Sequence, residues 1–295
     1  MSICGVDLFG QLLLAIRQSG VIAFELQGRV ANEGKVDMTT LPNDSYALRA
    51  RRAAKTAVDE IIQEVIILAA ADAVDPRHVA LDAEESTPSY ELFTGSRGND
   101  PTLVVDPIDG TLEYLQGQKS YSICAAMTHH GKLSMAFVYF PAYDELYYLD
   151  HFGRPRIAID VRRSGINASR LVEARLPVQS HTVFVNGRVP QSVTEALSTS
   201  GYDVIDDTEA RRGVRGCMLA CLHGEAVAYL AHTRQMRDIL LGGLIGATKQ
   251  GYALDWRGAA LQWPPGGRVA TALFGVGQLP QQLLDCLAMS EVKDH

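Results

Sequence analysis

The segment Thr102-Leu-Val-Val-Asp106-Pro107-Ile108-Asp109-Gly110-Thr111 constrains this chain more than any other. An apolar strand runs into a turn that carries two carboxylates three positions apart. Pro107 biases the residue before it toward an extended backbone, so the strand is expected to end at Asp106 with its side chain projecting from the edge. Gly110 lets the backbone approach a ligand closely, and the amides of Gly110 and Thr111 would open the next helical turn toward an anion. Two carboxylates beside an anion-binding backbone are compatible only if cations sit between them. All-oxygen ligands favour a hard divalent ion such as Mg²⁺ over zinc. Taken alone, a D-x-x-D-G string is also compatible with a solvated Asx turn.

The rest of the chain must then supply a globular body. Its 295 residues are 47% hydrophobic and 21% charged, which excludes intrinsic disorder, collagen and low-complexity arrays. A net charge of −7 (27 Lys and Arg against 34 Asp and Glu) argues against binding nucleic-acid polymers, which takes clustered cations. The longest apolar run, Val65 to Ala71, is far short of the roughly 20 residues needed to span a bilayer. The amino terminus lacks the basic and apolar regions of a secretory signal, and five scattered cysteines suit a reducing compartment, so a cytoplasmic address is expected.

Amphipathic periodicity predicts two helices early in the chain, one with Leu8, Leu12, Leu13 and Ile16 on its buried face, the other with Ala57, Ile61, Ile62 and Ile66. Extended segments follow at 78–82, 102–106, 121–128, 133–140 and 145–149, with a turn at His129-His130-Gly131, and read as an antiparallel meander. Beyond about residue 150, short apolar runs alternate with helical stretches, an α/β texture. The Gly/Pro-bearing segment at 151–155 is the expected junction between a 1–150 α+β subdomain and a 151–295 α/β subdomain. Arg49, Arg51, Arg52 and Lys55 read as a solvated helix face.

The string D-P-I-D-G-T changes the weight of the opening motif, because six specified residues recur by chance only about once in 10⁷ to 10⁸ windows. It is similar to the signature of the inositol monophosphatase superfamily, the Mg²⁺-dependent, lithium-sensitive phosphatases. Three further stretches agree in order and spacing: Thr56-Ala-Val-Asp59, Asp82-Ala-Glu84-Glu85-Ser86, and Arg237-Asp238 opening a helix that is expected to close at Gly251. The resemblance implies a layered αβαβα sandwich of mixed α+β and α/β class, with an antiparallel sheet in the first half, a mixed sheet in the second, and the site between them. It also implies a homodimer and two or three Mg²⁺ ions. Glu84, Asp106 and the carbonyl of Ile108 would hold one ion; Asp106, Asp109 and Asp238 would hold another. Asp59 and Thr111 would form the pair that, with Glu84, orients the attacking water. Substrate would meet Asp109, Gly110, Thr111, Asp238, Gly213 and Arg215.

Departures from the family pattern bear on the substrate. Ala231 stands where inositol monophosphatases place an acidic contact to the inositol ring, Arg237 replaces a Trp, and Val227 replaces an Asp. Thr111-Leu-Glu113-Tyr114 and Asp255-Trp256-Arg-Gly258 resemble the 3'(2'),5'-bisphosphate nucleotidases instead. Arg211, Arg212 and Arg215 could serve a second phosphate, since a guanidinium fork suits phosphate oxygens. The reading is therefore a hydrolase of a small phosphorylated metabolite, bisphosphate nucleotidase-like first, inositol-1-phosphatase second and fructose-1,6-bisphosphatase third. A non-catalytic homologue that binds a phosphorylated ligand is the alternative of a different class.

Overall fold

The computed structural model describes residues 5–34, 54–98, 100–178, 180–208, 210, 213–264 and 267–291. Contacts divide the chain into two compact units, the first spanning Met1–Leu171 with Trp263–Gly266, the second Val172–Gln262 with Gly267–His295.

In the first unit, helix α1 (Gly5–Leu26) and helix α2 (Ala57–Ala73) pack against each other and onto a seven-stranded sheet. The strands are β1 (Ala80–Ala83), β2 (Thr102–Asp109), β3 (Ser122–His129), β4 (Lys132–Phe140), β5 (Glu145–Leu149), β6 (Pro155–Ile159) and β7 (Arg170–Leu171), lined up in that order. Short helices α3 (Thr111–Leu115) and α4 (Val161–Ser164) lie in the connections. From β2 onward the sheet is an antiparallel meander, but β1 pairs parallel with β2, so the sheet is mixed rather than antiparallel throughout. The cause is the crossover from β1 through residues 84–101, which returns the chain in the same direction. The turn at 151–155 joins β5 to β6.

Leu8, Leu12 and Ile16 of α1 are fully buried, as the periodicity predicts. On α2 the buried face is Val58, Ile62, Ile66 and Ala70, whereas Ala57 and Ile61 point to solvent. The buried stripe keeps Ile62 and Ile66 but runs through Val58 rather than Ala57, the side on which α2 packs against α1 and β2. Where α1 crosses β4, a Cβ on Gly20 would run into the ring of Tyr139.

The second unit is a five-stranded mixed sheet in the order β11-β12-β10-β8-β9. Its strands are β8 (Thr182–Val185), β9 (Asp203–Asp206), β10 (Ala228–Gln235), β11 (Gly251–Leu254) and β12 (Arg268–Val276). Helices α5 (Gln191–Thr199), α6 (Gly213–Leu222), α7 (Leu240–Gly246) and α8 (Gln281–Glu291) complete it. Val193 and Leu197 of α5 and Leu283 and Leu287 of α8 join Val183, Leu230, Leu273 and Trp256 in one core. The helix expected to run from Asp238 to Gly251 ends at Gly246 instead; Gly251 begins β11, where a Cβ would strike the Ile245 carbonyl. No helix of the described residues is long and apolar enough to cross a membrane.

Gly20 and Gly10 sit on the same helix, yet nothing lies within 4 Å of a Cβ built at Gly10. Gly20→Ala should lower stability to urea by about 1–3 kcal/mol through overpacking. Gly10→Ala should raise it by roughly 0.5–1 kcal/mol, the helix-propensity gain alone. Equal and favourable shifts in both variants would show that α1 does not sit on Tyr139.

Candidate active site

Strand β2 carries the two carboxylates. In a regular strand, residues three apart face opposite sides of the sheet. Between Asp106 and Asp109 the pairing with β3 slips: Asp106 lies opposite Cys124 but Asp109 lies opposite Ser122, so three steps on β2 match two on β3. This is a bulge in which Pro107 and Ile108 stand opposite the single residue Ile123, and Pro107 has no amide hydrogen to give to the ladder. The strand therefore does not end at Asp106 as expected; it continues to Asp109, and the extra residue restores both side chains to one side. Carboxylate oxygens of the two lie within 4.8 Å of each other. Asp106 is buried and Asp109 half-buried.

Gly110 follows with φ +89°, left-handed backbone that a side chain would strain, and a Cβ there would meet the Ser120 carbonyl at 3.2 Å. That turn starts α3 and buries Thr111. The Thr111 hydroxyl lies 2.9 Å from the carbonyl oxygen of Ile108 and 3.1 Å from Asp59 Oδ1.

Asp59 reaches this point from the first turn of α2. The Thr56 hydroxyl and amide both donate to Asp59 Oδ2, at 2.7 and 2.8 Å, and the Val58 amide donates to Thr56 Oγ1 at 3.2 Å. This is a capping box with Asp in place of Glu, in the spacing Thr56-x-x-Asp59. Burial raises the Asp59 pKa to about 6; the two Thr56 hydrogen bonds oppose the rise and the charges of Glu84 and Glu85 add to it.

Glu84 and Glu85 occupy the turn after β1. Because β1 and β2 are parallel with Ala83 opposite Val105, Glu84, just past the end of β1, follows beside Asp106 within β2. Gln63 of α2 clamps the turn: its Oε1 accepts the Glu85 amide at 2.8 Å and its Nε2 donates to the Glu85 carbonyl at 2.6 Å. Glu84 does not form a triplet with Asp106 and Asp109 at the 4.8 Å spacing among the described residues; its charge acts on Asp59. Lys55 is not a solvated face residue: its ammonium lies 3.3 Å from Glu85 and 2.6 Å from Glu60. Sequence reasoning missed these supports, Gln63 and Lys55, since neither stands in a recognisable spacing.

In the second unit, Asp238 lies in a 3₁₀ turn, Met236–Ile239, that leads into α7. Ala231 is buried on β10 opposite Ala272. Asp255 accepts the amides of Arg257 and Ala259, both at 2.9 Å, and the Trp256 indole donates to the Ala272 carbonyl at 3.1 Å, so that stretch works as a turn lock. Gly213 opens α6; the side chain of Arg215, and Arg211 and Arg212 entirely, lie outside the described residues, as do Arg49, Arg51 and Arg52.

A model of the inositol monophosphatase family matches residues 17–286. The chain belongs to the inositol monophosphatase family. Members are metal-dependent phosphatases, and the oxygen-only pair on β2 suits a hard cation. The 3'(2'),5'-bisphosphate nucleotidase CysQ of Salmonella typhimurium is 24% identical over 221 residues, 75% of this chain and 83% of that protein. The inositol-1-monophosphatase of Bacillus subtilis is 28% identical over 94 residues, 32% of this chain and about a third (35%) of that enzyme's length. The crystal structure of inositol monophosphatase-II from Staphylococcus aureus superposes with a TM-score of 0.65 at 18% identity, with 97% of each chain covered, a likeness of fold.

The raised Asp59 pKa has a sign that can be checked in metal-free protein. A carboxyl whose pKa is higher folded than unfolded binds its proton more tightly when folded, so its contribution is full below about pH 4 and lost as pH rises to about 6. Asp59→Asn removes that loss. In EDTA, the stability of the variant relative to the parent should climb by about 3 kcal/mol between pH 4 and pH 7, read from urea unfolding. Parallel pH profiles would place Asp59 in a solvated site.

Proposed function

We propose that this chain hydrolyses a small phosphate monoester with Mg²⁺, in the manner of a 3'(2'),5'-bisphosphate nucleotidase. The observation that carries the reading is the linkage of Asp59, Thr111 and the Ile108 carbonyl beside the paired carboxylates of Asp106 and Asp109. In this reading Glu84, Asp106 and the Ile108 carbonyl hold one ion, and Asp106, Asp109 and Asp238 hold a second. Bound there, Mg²⁺ supplies charge stabilisation to phosphoryl oxygens and makes water a stronger acid near neutral pH.

The chain's own groups then handle the proton. Asp59 Oδ1 accepts the Thr111 hydroxyl hydrogen, which leaves a Thr111 Oγ1 lone pair to accept from the attacking water. As oxygen attacks phosphorus, that proton passes to Thr111 Oγ1 while Thr111's own proton moves to Asp59. Burial, which raises the Asp59 pKa in the metal-free protein, makes this carboxylate a stronger proton acceptor than a solvated one. Glu84, just past the end of β1, orients the same water. Gly110 keeps the backbone clear for the phosphate, and Gly213 and Arg215 are assigned to the substrate wall.

Bisphosphate nucleotides are preferred over inositol phosphates because the Salmonella relative matches along most of the chain and because Ala231 offers no acid to a sugar ring. Homodimeric assembly belongs to the same reading and rests on the family resemblance; a cytoplasmic setting rests on the scattered cysteines and the amino-terminal sequence.

Purified protein given 3'-phosphoadenosine 5'-phosphate, inositol-1-phosphate or fructose-1,6-bisphosphate should release phosphate fastest from the first. Release should stop in excess EDTA and return with Mg²⁺. Asp106→Asn should lower kcat by about a thousandfold or more at an unchanged melting temperature, since a transition-state charge loses its clamp. Full turnover in EDTA would reject the reading; inositol-1-phosphate as the best substrate would move it to the second activity.

A further inference from the structure

Strand β10 contains a backbone anomaly close to Asp238. Thr233 has φ +52°, left-handed backbone that is rare and costly for a β-branched residue. The neighbouring segment holds it in place. Asn186 accepts the His232 amide at 2.9 Å and donates to the His232 carbonyl at 2.8 Å, and Arg188 Nη1 donates to the Thr233 carbonyl at 2.7 Å.

The next residue is Arg234. Its Nη2 donates to Asp207 Oδ2 at 2.7 Å, and its Nη1 lies 3.8 Å from Asp238 Oδ2. Asp207 is fully buried, and the same Oδ2 accepts the hydroxyl of buried Tyr229 at 2.7 Å. One arm of the guanidinium is thus tied to a buried anion while the other faces Asp238. Arg keeps its charge at every accessible pH, so this cation cannot be switched off by deprotonation. Nor can it leave freely, because withdrawal would strand the Asp207 carboxylate in the interior.

We propose that Arg234 is a resident cation for Asp238, which aims this carboxylate and competes with divalent metal for it, so that the ion held through Asp238 is the weaker one and Arg234 sets the metal concentration at which it binds. The inference rests on the reading of Asp238 as a metal ligand. Arg234 is a positioning residue in this account, acting on substrate only through Asp238.

The test is a Mn²⁺ titration of the full chain followed by the free-ion EPR signal, which counts sites and affinities without turnover. Parent protein should show a tighter and a weaker class. The double variant Arg234→Met with Asp207→Asn removes the guanidinium without leaving a buried charge, and should tighten the weaker class by about tenfold as a repelling charge is lost. Arg234→Gln, which keeps a donor for Asp207, should move the same way and carries the test if the double variant melts without cooperativity. Arg234→Lys should stay within about threefold of the parent. Unchanged or weakened binding in the neutral variants, while Asp238→Asn loses the weaker class, overturns the competition alone. An Asp238→Asn protein that keeps the parent's full Mn²⁺ stoichiometry overturns the competition and the assignment of Asp238 together.

Discussion

Like charges repel, and the first unit brings Asp106 and Asp109 to within 4.8 Å on a buried strand. Much of the local architecture follows from making that approach possible. An ideal strand would send the two side chains to opposite faces, and a proline in a central strand would leave a gap in the ladder. One irregularity answers both problems: the bulge at Pro107 absorbs the missing donor and adds the residue that returns Asp109 to the face of Asp106. Gly110 then reverses the chain in a conformation closed to side chains, which brings Thr111 back over the Ile108 carbonyl. Deleting one residue of the bulge would send Asp109 to the opposite face of the sheet from Asp106.

Burying acids beside one another carries a free-energy cost, and the chain spreads it over several devices. Asp59 is surrounded by three donors, two from Thr56 and one from Thr111, yet its proton still binds about two pH units more tightly than in water, so desolvation outweighs the hydrogen bonds. Glu85 is treated differently, with a lysine ammonium at 3.3 Å and both of its backbone groups held by Gln63. In the second unit Asp207 is given a guanidinium and a phenol. A proton-accepting role suits the first of these acids, which has hydrogen-bond donors but sits among like charges. The other two have a fixed counter-charge and serve as anchors.

The residues legible in the sequence were those whose chemistry depends on near neighbours in the chain. The turn from Asp109 to Thr111 and the hairpin at His130 and Gly131 act across a few positions, where local stereochemistry dictates structure, whereas Thr56-x-x-Asp59 was read only through the family resemblance and its role as a capping box comes from the structure. Helix α1 was legible for the same reason, since its stripe repeats within the helix. What the sequence hid was set by tertiary register. Whether β1 runs parallel to β2 depends on a crossover, not on a periodicity; which face of α2 is buried depends on its packing against α1 and β2; and a strand carried past Pro107 depends on its partner β3. Lys55 and Arg234 were hidden most deeply, because a cation's role is defined by which acid it meets, and Glu85 is 30 positions from Lys55 while Asp207 is 27 from Arg234.

These cations also separate acids that belong to the fold from acids that belong to the chemistry. A carboxylate in a close ion pair with a fixed Lys or Arg gains less from a divalent ion, because its charge is already compensated and its lone pairs are partly engaged; Asp238, 3.8 Å from Arg234, stands between the two kinds. Asp150, with two arginines, and Asp144, with Arg162 and the Tyr139 hydroxyl, are of the first kind and lie in structural turns. Asp106 and Asp109 bring carboxylate oxygens within 4.8 Å of each other, an arrangement whose repulsion a small hard cation relieves. Cation affinity should therefore concentrate on β2 even though acids are spread through the whole chain. Within the fold itself, Asp59 is met by the Thr56 donors, and Glu85, Asp144, Asp150 and Asp207 by basic side chains.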